Sequence, residues 1–235
     1  MIRSEYPIIL ILAIPRLFEP EINLQRDALD FEIQDMPLLK YAVNIYDPSL
    51  RKIIVARIAD KDRIQGFEIE TAYIERDTKG ALATIGLAFS RLDNVSPIVV
   101  QPFDGLVTKG LDKAIEEFQN LNCCVGLVTF NSDSPEFSYV RVDGVSAVEI
   151  AEKRVISDRA LTGVVYFRNS KVLLECIRWS LLNKIETNGR YYLAPSINAQ
   201  IALGENVSIY QIDQNSYYRF TNFKEAQASK AGLES

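Results

Sequence analysis

The sequence predicts an α/β protein built on a doubly wound, mainly parallel mixed sheet of Rossmann-like type. Short apolar runs rich in Ile and Val recur at 8–14, 53–56, 97–100 and 123–130, separated by stretches with helical spacing. Strand and helix therefore alternate from the amino terminus, as they do where crossover helices join parallel strands. From residue 137 the strands follow one another closely, which adds an antiparallel part to the sheet.

The first run, Ile8 to Ile14, lies between Pro7 and Pro15 and reads as a strand buried on both faces. It is far shorter than the roughly 20 residues of a membrane helix and lacks a small-residue cleavage site, so neither a membrane partner nor an export signal is expected. Leu38, Leu39, Ala42, Val43 and Tyr46 mark one helical stripe. Ala81, Ile85, Ala88, Phe89 and Leu92 mark a second, and Leu111, Ala114, Ile115 and Phe118 a third. "FSYVRVDG" and "VSAVEIAEK" read as strands joined at the turn Asp143-Gly144. "TGVVYFR" is another strand, and a helix follows through Val172, Leu173, Cys176, Ile177, Trp179 and Leu181. With no internal repeat, linker or clean boundary, one domain over 1–235 is expected, ending in a frayed helix "KEAQASKAGLES".

The chain has 235 residues, 48% hydrophobic and 24% charged, enough for one sizeable core. A net charge of -5 and scattered basic residues exclude a nucleic-acid footprint. Cys123, Cys124 and Cys176 offer neither a disulfide framework nor metal-ligand spacing, and free buried thiols suit a reducing cytoplasm. Adjacent in a strand, Cys123 and Cys124 should point to opposite faces. The chain has no histidine, which removes Ser-His-Asp and Cys-His nucleophile systems, imidazole zinc sites and histidine general-base chemistry together. Carboxylate, lysine and arginine chemistry remains, the equipment of metal-assisted phosphoryl and nucleotidyl transfer.

In open parallel sheets, ligands sit beyond the carboxyl ends of the strands. Asp104 falls there, after the run Ile98-Val99-Val100, and so do Arg16 and the Lys79-Gly80 turn that opens the second helix.

Six segments in order resemble the sugar nucleotidyltransferases, or nucleotide-sugar pyrophosphorylases, and their cytidylyltransferase relatives, over roughly residues 8 to 225. "IQDMPLLKYAVNIY" is similar to the segment where a Gly-Lys-Pro-Met turn opens a helix, keeping Met36-Pro37 with Asp35 in the glycine's place. "ERDTKGALATIGLAF" resembles the glycine-alanine turn against the nucleotide base, and "VVQPFDG" the strand end whose aspartate binds magnesium. "SPEFSYVRVDG", with "VEIAEK", and "TGVVYF" are similar to the strands around the sugar, and "YYLAPSINAQIALGENVSIYQI" to a late segment with a second metal-side ligand.

The resemblance implies a nucleotidyltransferase fold of the GT-A-like kind, with residues 1–130 as the nucleotide-binding half and 131–222 as the sugar or acceptor half. It implies Mg2+ at Asp104 and Asn198, and a nucleoside triphosphate or nucleotide sugar at Ala13, Arg16, Gly80, Ala81 and Gln101. A sugar phosphate or similar small molecule would lie at Tyr139, Glu152, Lys153 and Gly163, and Asp104, Arg16 and Lys153 would act in catalysis. Two anions must meet in such a reaction, and magnesium can bridge their phosphates and orient an in-line displacement. One or two carboxylates suffice for that ion, Lys153 can neutralise an incoming phosphate, and Glu152 can accept from a substrate hydroxyl. Nothing in the sequence bars a homo-oligomer.

One segment departs from the family. The glycine-rich loop after the first strand, with its arginine and Pro-Lys pair, should cradle phosphates. Here the stretch between Ala13 and Pro37 has no glycine, Ala28 stands where the lysine belongs, Pro15 and Pro20 remove amide donors, and Glu19 and Glu21 add negative charge. Three readings stay open: a divergent magnesium-dependent nucleotidyltransferase for surface polysaccharide, a catalytically inactive nucleotidyltransferase-like binding or regulatory protein, and a GT-A glycosyltransferase. The last needs an Asp-x-Asp at a central strand end. Asp60-Lys61-Asp62 has that spacing but follows an early strand, and is expected at the surface.

Overall fold

The computed structural model describes residues 6–14 and 27–234. The first strand, β1 (Ile8–Ala13), is buried along its whole length. Ile9, Ile11 and Ala13 enter one apolar core, and Ile8, Leu10 and Leu12 another on the opposite face. An uninterrupted apolar run is what a strand covered on both sides requires. Next come the short β2 (Glu32–Ile33) and β3 (Met36–Pro37), α1 (Leu38–Asn44), β4 (Lys52–Arg57), β5 (Glu70–Ile74), α2 (Ala81–Ala88) and β6 (Ile98–Pro102). β1 pairs in parallel with β4 on one side and β6 on the other, and β4 pairs in parallel with β5.

Beyond these come β7 (Gly105–Val107), α3 (Leu111–Asn120), β8 (Val125–Asn131), β9 (Ser138–Asp143), β10 (Ser146–Glu152) and β11 (Arg159–Phe167). The chain continues through α4 (Ser170–Leu182), α5 (Leu193–Ser196), α6 (Asn198–Ala202), β12 (Val207–Gln211), β13 (Tyr217–Arg219) and α7 (Phe223–Glu234). The main sheet runs β5-β4-β1-β6-β11-β8-β12-β10-β9. The parallel part expected from the amino terminus runs as far as β6, and beyond it the sheet is mixed and carries the antiparallel part expected from residue 137. β11 is antiparallel to β6, β8 and β9, and the β9-β10 hairpin meets β12 antiparallel; only the pair of β12 with β8 is parallel there. β11 runs in the same direction as β10 and lies between β6 and β8, opposite to both.

α1 and α3 cover one face through Leu38, Leu39, Ala42, Leu111, Ala114 and Phe118. α2 and α4 cover the other through Leu82, Ile85, Leu173, Cys176 and Ile177. Cys123 and Cys124 fall in opposite cores, as their adjacency requires. α4 opens on Asn169, whose side chain accepts the Lys171 and Val172 N–H groups and satisfies two orphan donors of the first turn. The tail, expected to fray, is instead the docked α7. Ala226 is buried, and the Ser229 hydroxyl donates to the Arg219 carbonyl at 2.7 Å and accepts its N–H at 3.0 Å. No helix among the described residues is long and apolar enough to cross a membrane.

Candidate functional site

Asp104 lies on the two-residue turn between β6 and β7, at the carboxyl end of β6. Phe103 is buried beneath it and Asp104 itself is partly exposed. Two interactions, one local and one from far along the sequence, fix the turn. From below, the buried Gln101 amide nitrogen donates to the carbonyls of Pro102 at 2.5 Å and Gly105 at 2.6 Å. From the far end, the Phe220 N–H donates to the Asp104 carbonyl at 2.8 Å. β13 pairs antiparallel with β7, Arg219 opposite Gly105, so 217–220 is the segment beside Asp104.

That segment brings its own charges. The Tyr217 hydroxyl lies 3.1 Å from where a Cβ on Gly105 would sit. Burial pushes its phenol above the ordinary tyrosine range; the Arg219 charge pulls it back, and Asp104 and Glu225 push it up again. Asp104 and Arg219 thus act on the same hydroxyl. The Arg219 guanidinium donates to Glu136 at 2.7 Å and Glu225 at 3.0 Å, and lies 4.6 Å from the centre of the Phe137 ring.

Phe137 connects this corner to the second half of the chain. Its ring centre is 6.4 Å from that of Tyr217 and 5.0 Å from that of Phe130. Its carbonyl accepts the Lys153 N–H at 3.0 Å. Glu152 accepts the Ser138 hydroxyl, and the Lys153 ammonium sits 5.7 Å from the centre of the Tyr192 ring. Lys153 has φ +53, a left-handed conformation that a lysine seldom takes. Gly163 belongs to the same corner: at φ +89, a Cβ there would lie 2.8 Å from Pro102 Cγ, two residues before Asp104.

Several expected ligand contacts are taken by the protein itself. Gln101 is 0% exposed, and its oxygen accepts the Tyr46 hydroxyl at 2.8 Å, so its amide braces the Asp104 turn. Tyr139 is also 0% exposed; its hydroxyl donates to the Ser134 carbonyl at 2.6 Å and steadies the loop before β9. Asn198 accepts the Ile150 N–H at 3.0 Å and donates to the Ile150 and Pro195 carbonyls at 2.8 and 3.2 Å, which pins α6 to β10. No periodicity marks the residues that adjoin the Asp104 turn, namely Tyr217 and Arg219; the pairing of two three-residue strands brings them there.

In the first half, Ala13 is buried at the end of β1 and can offer a ligand only backbone. Gly80 has φ +107, and a Cβ on it would lie 2.5 Å from the Tyr191 carbonyl oxygen. The Tyr191 N–H donates to Lys79 at 2.7 Å and its carbonyl accepts the Leu82 N–H at 3.2 Å, so the Gly80 turn is glycine because backbone closes over it. Ala81 is exposed beside it. Arg16 lies outside the described residues. Asp60, expected at the surface, is 4% exposed between Arg57 Nε at 2.6 Å and Arg63 at 3.0 Å. Arg63 also holds Asp27 at 2.6 Å and Asp30 at 2.7 Å.

Among the described residues no three His, Cys, Asp or Glu side chains converge as a metal cage. Magnesium commonly takes one or two carboxylates and completes its shell with phosphate oxygens and waters. Asp104 therefore fits an ion that arrives with a polyphosphate, whereas the Asn198 amide, committed to Ile150 and Pro195, is poorly placed to help.

This mixed sheet, with an aspartate turn at the carboxyl end of a central strand, has the fold of solved nucleotidyltransferases. Comparison with solved structures carries this further, to the sugar nucleotidyltransferases, whose fold the chain has. It superposes on a nucleoside-diphosphate-sugar pyrophosphorylase from Vibrio cholerae RC9 with a TM-score of 0.79 and 18% identity, over 94% of this chain and 99% of that one. It superposes on an inositol-1-phosphate CTP transferase from T. maritima with a TM-score of 0.76 and 14% identity, over 99% of this chain and 97% of the other. No protein-family model and no curated protein matches the chain in sequence.

Proposed function

We propose that the chain is a nucleotidyltransferase acting on a nucleoside triphosphate and a sugar phosphate or similar alcohol phosphate, in the cytoplasm, toward surface polysaccharide. Its sheet is read as the Rossmann-like, doubly wound plan, with 1–130 as the nucleotide half and 131–222 as the acceptor half. The observation that carries the proposal is the run of contacts from the Asp104 turn through Tyr217 and Phe137 to the backbone of Lys153, which places both residues in one corner of the molecule; Asp104 is read as the carboxylate for phosphate-bound magnesium and Lys153 as the cation for a second phosphate. An acceptor phosphate oxygen attacks the α-phosphorus; the new P–O bond forms as the bond to the β-bridging oxygen breaks, and pyrophosphate leaves with the electron pair. Bound magnesium would supply charge neutralisation at the transferring phosphate. Lys153 neutralises the attacking phosphate, Glu152 orients a hydroxyl of its sugar, and Arg16 is proposed to stabilise charge on the triphosphate.

A second reading, a nucleotide-binding or regulatory protein without turnover, is favoured by the glycine-free stretch between Ala13 and Pro37 and by the enclosure of Gln101 and Gly80. The glycosyltransferase reading loses its Asp-x-Asp candidate to the ion pairs of Asp60.

Pyrophosphate release from each common triphosphate, paired with a panel of sugar phosphates and Mg2+, tests the proposal. Turnover that falls at least a hundredfold in Asp104→Asn supports it. Ligand at a hundred times its dissociation constant stabilises by about 2.7 kcal/mol, so a thermal shift without turnover would favour the second reading. A flat response to every triphosphate and nucleotide sugar would reject both.

A further inference from the structure

We infer that Tyr192 is a positioning residue for Lys153, a role that rests on the acceptor-phosphate function proposed above for that lysine. Lys153 directly follows β10 at φ +53, where asparagine or glycine would sit with less strain, and its N–H is fixed by the Phe137 carbonyl. Its ammonium makes no ion pair among the described residues; the side-chain group it meets there is the Tyr192 ring, 5.7 Å from Nζ to centroid. A ring face suits this task better than a carboxylate. It holds the ammonium by its quadrupole and leaves the full positive charge available, whereas an acidic partner would have to be displaced by the arriving phosphate.

Tyr192 is itself held from the other half of the molecule. The preceding residue, Tyr191, is bonded through its backbone to Lys79 and Leu82 on both sides of the Gly80 turn. Its carbonyl lies so close to Gly80 that a Cβ there would be at 2.5 Å. Two adjacent residues therefore span the halves: Tyr191 closes the turn at the head of α2, and Tyr192 sets the ammonium at the end of β10. An exposed cation–π contact is worth about a two- to fivefold change in affinity, so the ring refines the position of Lys153 without creating the site.

The test uses the full chain, inorganic phosphate as the probe, and the variants Tyr192→Phe, Tyr192→Leu, Lys153→Met and Tyr192→Leu with Lys153→Met. The Lys153 ε-methylene resonances should carry a ring-current shift in the wild type and in Tyr192→Phe, and lose it in Tyr192→Leu. Phosphate should bind about two- to fivefold more weakly to Tyr192→Leu, and unchanged to Tyr192→Phe. In the Lys153→Met background, Tyr192→Leu should have no further effect. Wild-type affinity in Tyr192→Leu, or a loss that persists without Lys153, overturns the positioning role while the acceptor site stands. Phosphate binding that ignores Lys153→Met removes the acceptor site, and the inference with it.

Discussion

The buried phenol of Tyr46, on the segment after α1, donates to the amide oxygen of Gln101 at the end of β6, 2.8 Å away. The other end of that amide holds the carbonyls of Pro102 and Gly105, so a tyrosine beneath the sheet decides how the Asp104 turn stands above it. Tyr46→Phe leaves the Gln101 oxygen buried without its donor. A loss of about 1–3 kcal/mol is expected in urea denaturation, and an unchanged midpoint would mean that the turn stands without this support.

Arg63 joins Asp27 and Asp30 to Asp60, and both Asp27 and Asp60 are 4% exposed. Its hydrogen bond to Asp27, above all, raises its already high pKa and keeps it charged at every working pH. Removing one partner of a buried ion pair costs about 3–5 kcal/mol. Arg63 is 30% exposed, so Arg63→Met should lose the smaller amount of about 1–3 kcal/mol. Adding Asp27→Asn should recover part of the loss, because one stranded charge is then gone; strictly additive losses would deny the coupling.

Two glycines with positive φ separate backbone strain from close approach. Gly204, at φ +72, has nothing within 4 Å of its absent Cβ, whereas Gly80 has the Tyr191 oxygen at 2.5 Å. Gly204→Ala should cost about 1 kcal/mol from strain alone. Gly80→Ala should exceed it by at least about 1 kcal/mol, since backbone must move to admit the methyl. Equal melting temperatures for the two variants would contradict the closure of that turn.

Burial pushes the Cys124 and Cys176 thiols up to about 12 from 9.0, and the phenols of Tyr46 and Tyr217 also rise. In each case the folded state holds the proton to a higher pH than the unfolded chain. Stability from these groups is therefore complete below about pH 9 and falls as the unfolded thiols and then phenols ionise, from about pH 9 to 12. A melting temperature that falls across this window, with native Cys124 and Cys176 inert to alkylation at pH 8, is expected. Rapid alkylation of both in the native state at pH 8 would show that they are not enclosed.

The parts of the fold legible in the sequence are those whose periodicity is dictated by burial. Ile8 to Ala13 announces a strand covered on both faces, and the stripes of α1, α3 and α4 announce helices with one covered face. The turn of Asp104 was legible for the same reason, because it ends such a strand. A polar side chain carries no mark in sequence of the bonds it makes within the protein, and so the contacts of Gln101, Tyr139 and Asn198 to Tyr46, Ser134 and Ile150 were not legible. Asp60 looked superficial although Arg57 and Arg63 stand three residues to either side of it in sequence; only the helical turn over 58–64 shows that both pair with it and that it is buried. β7 and β13 have three residues each, too few for any period to show.

The hydrogen bond from Phe220 to the Asp104 carbonyl also sets a timetable for synthesis. A ribosome adding about 5–20 residues per second delivers the turn on the order of ten seconds before the strand that closes it. During that interval the nascent chain can pair β1, β4 and β6 while the corner beside Asp104 stays open. A transcript cut after β12 would encode every strand of the main sheet and still yield a protein whose candidate site was never shut.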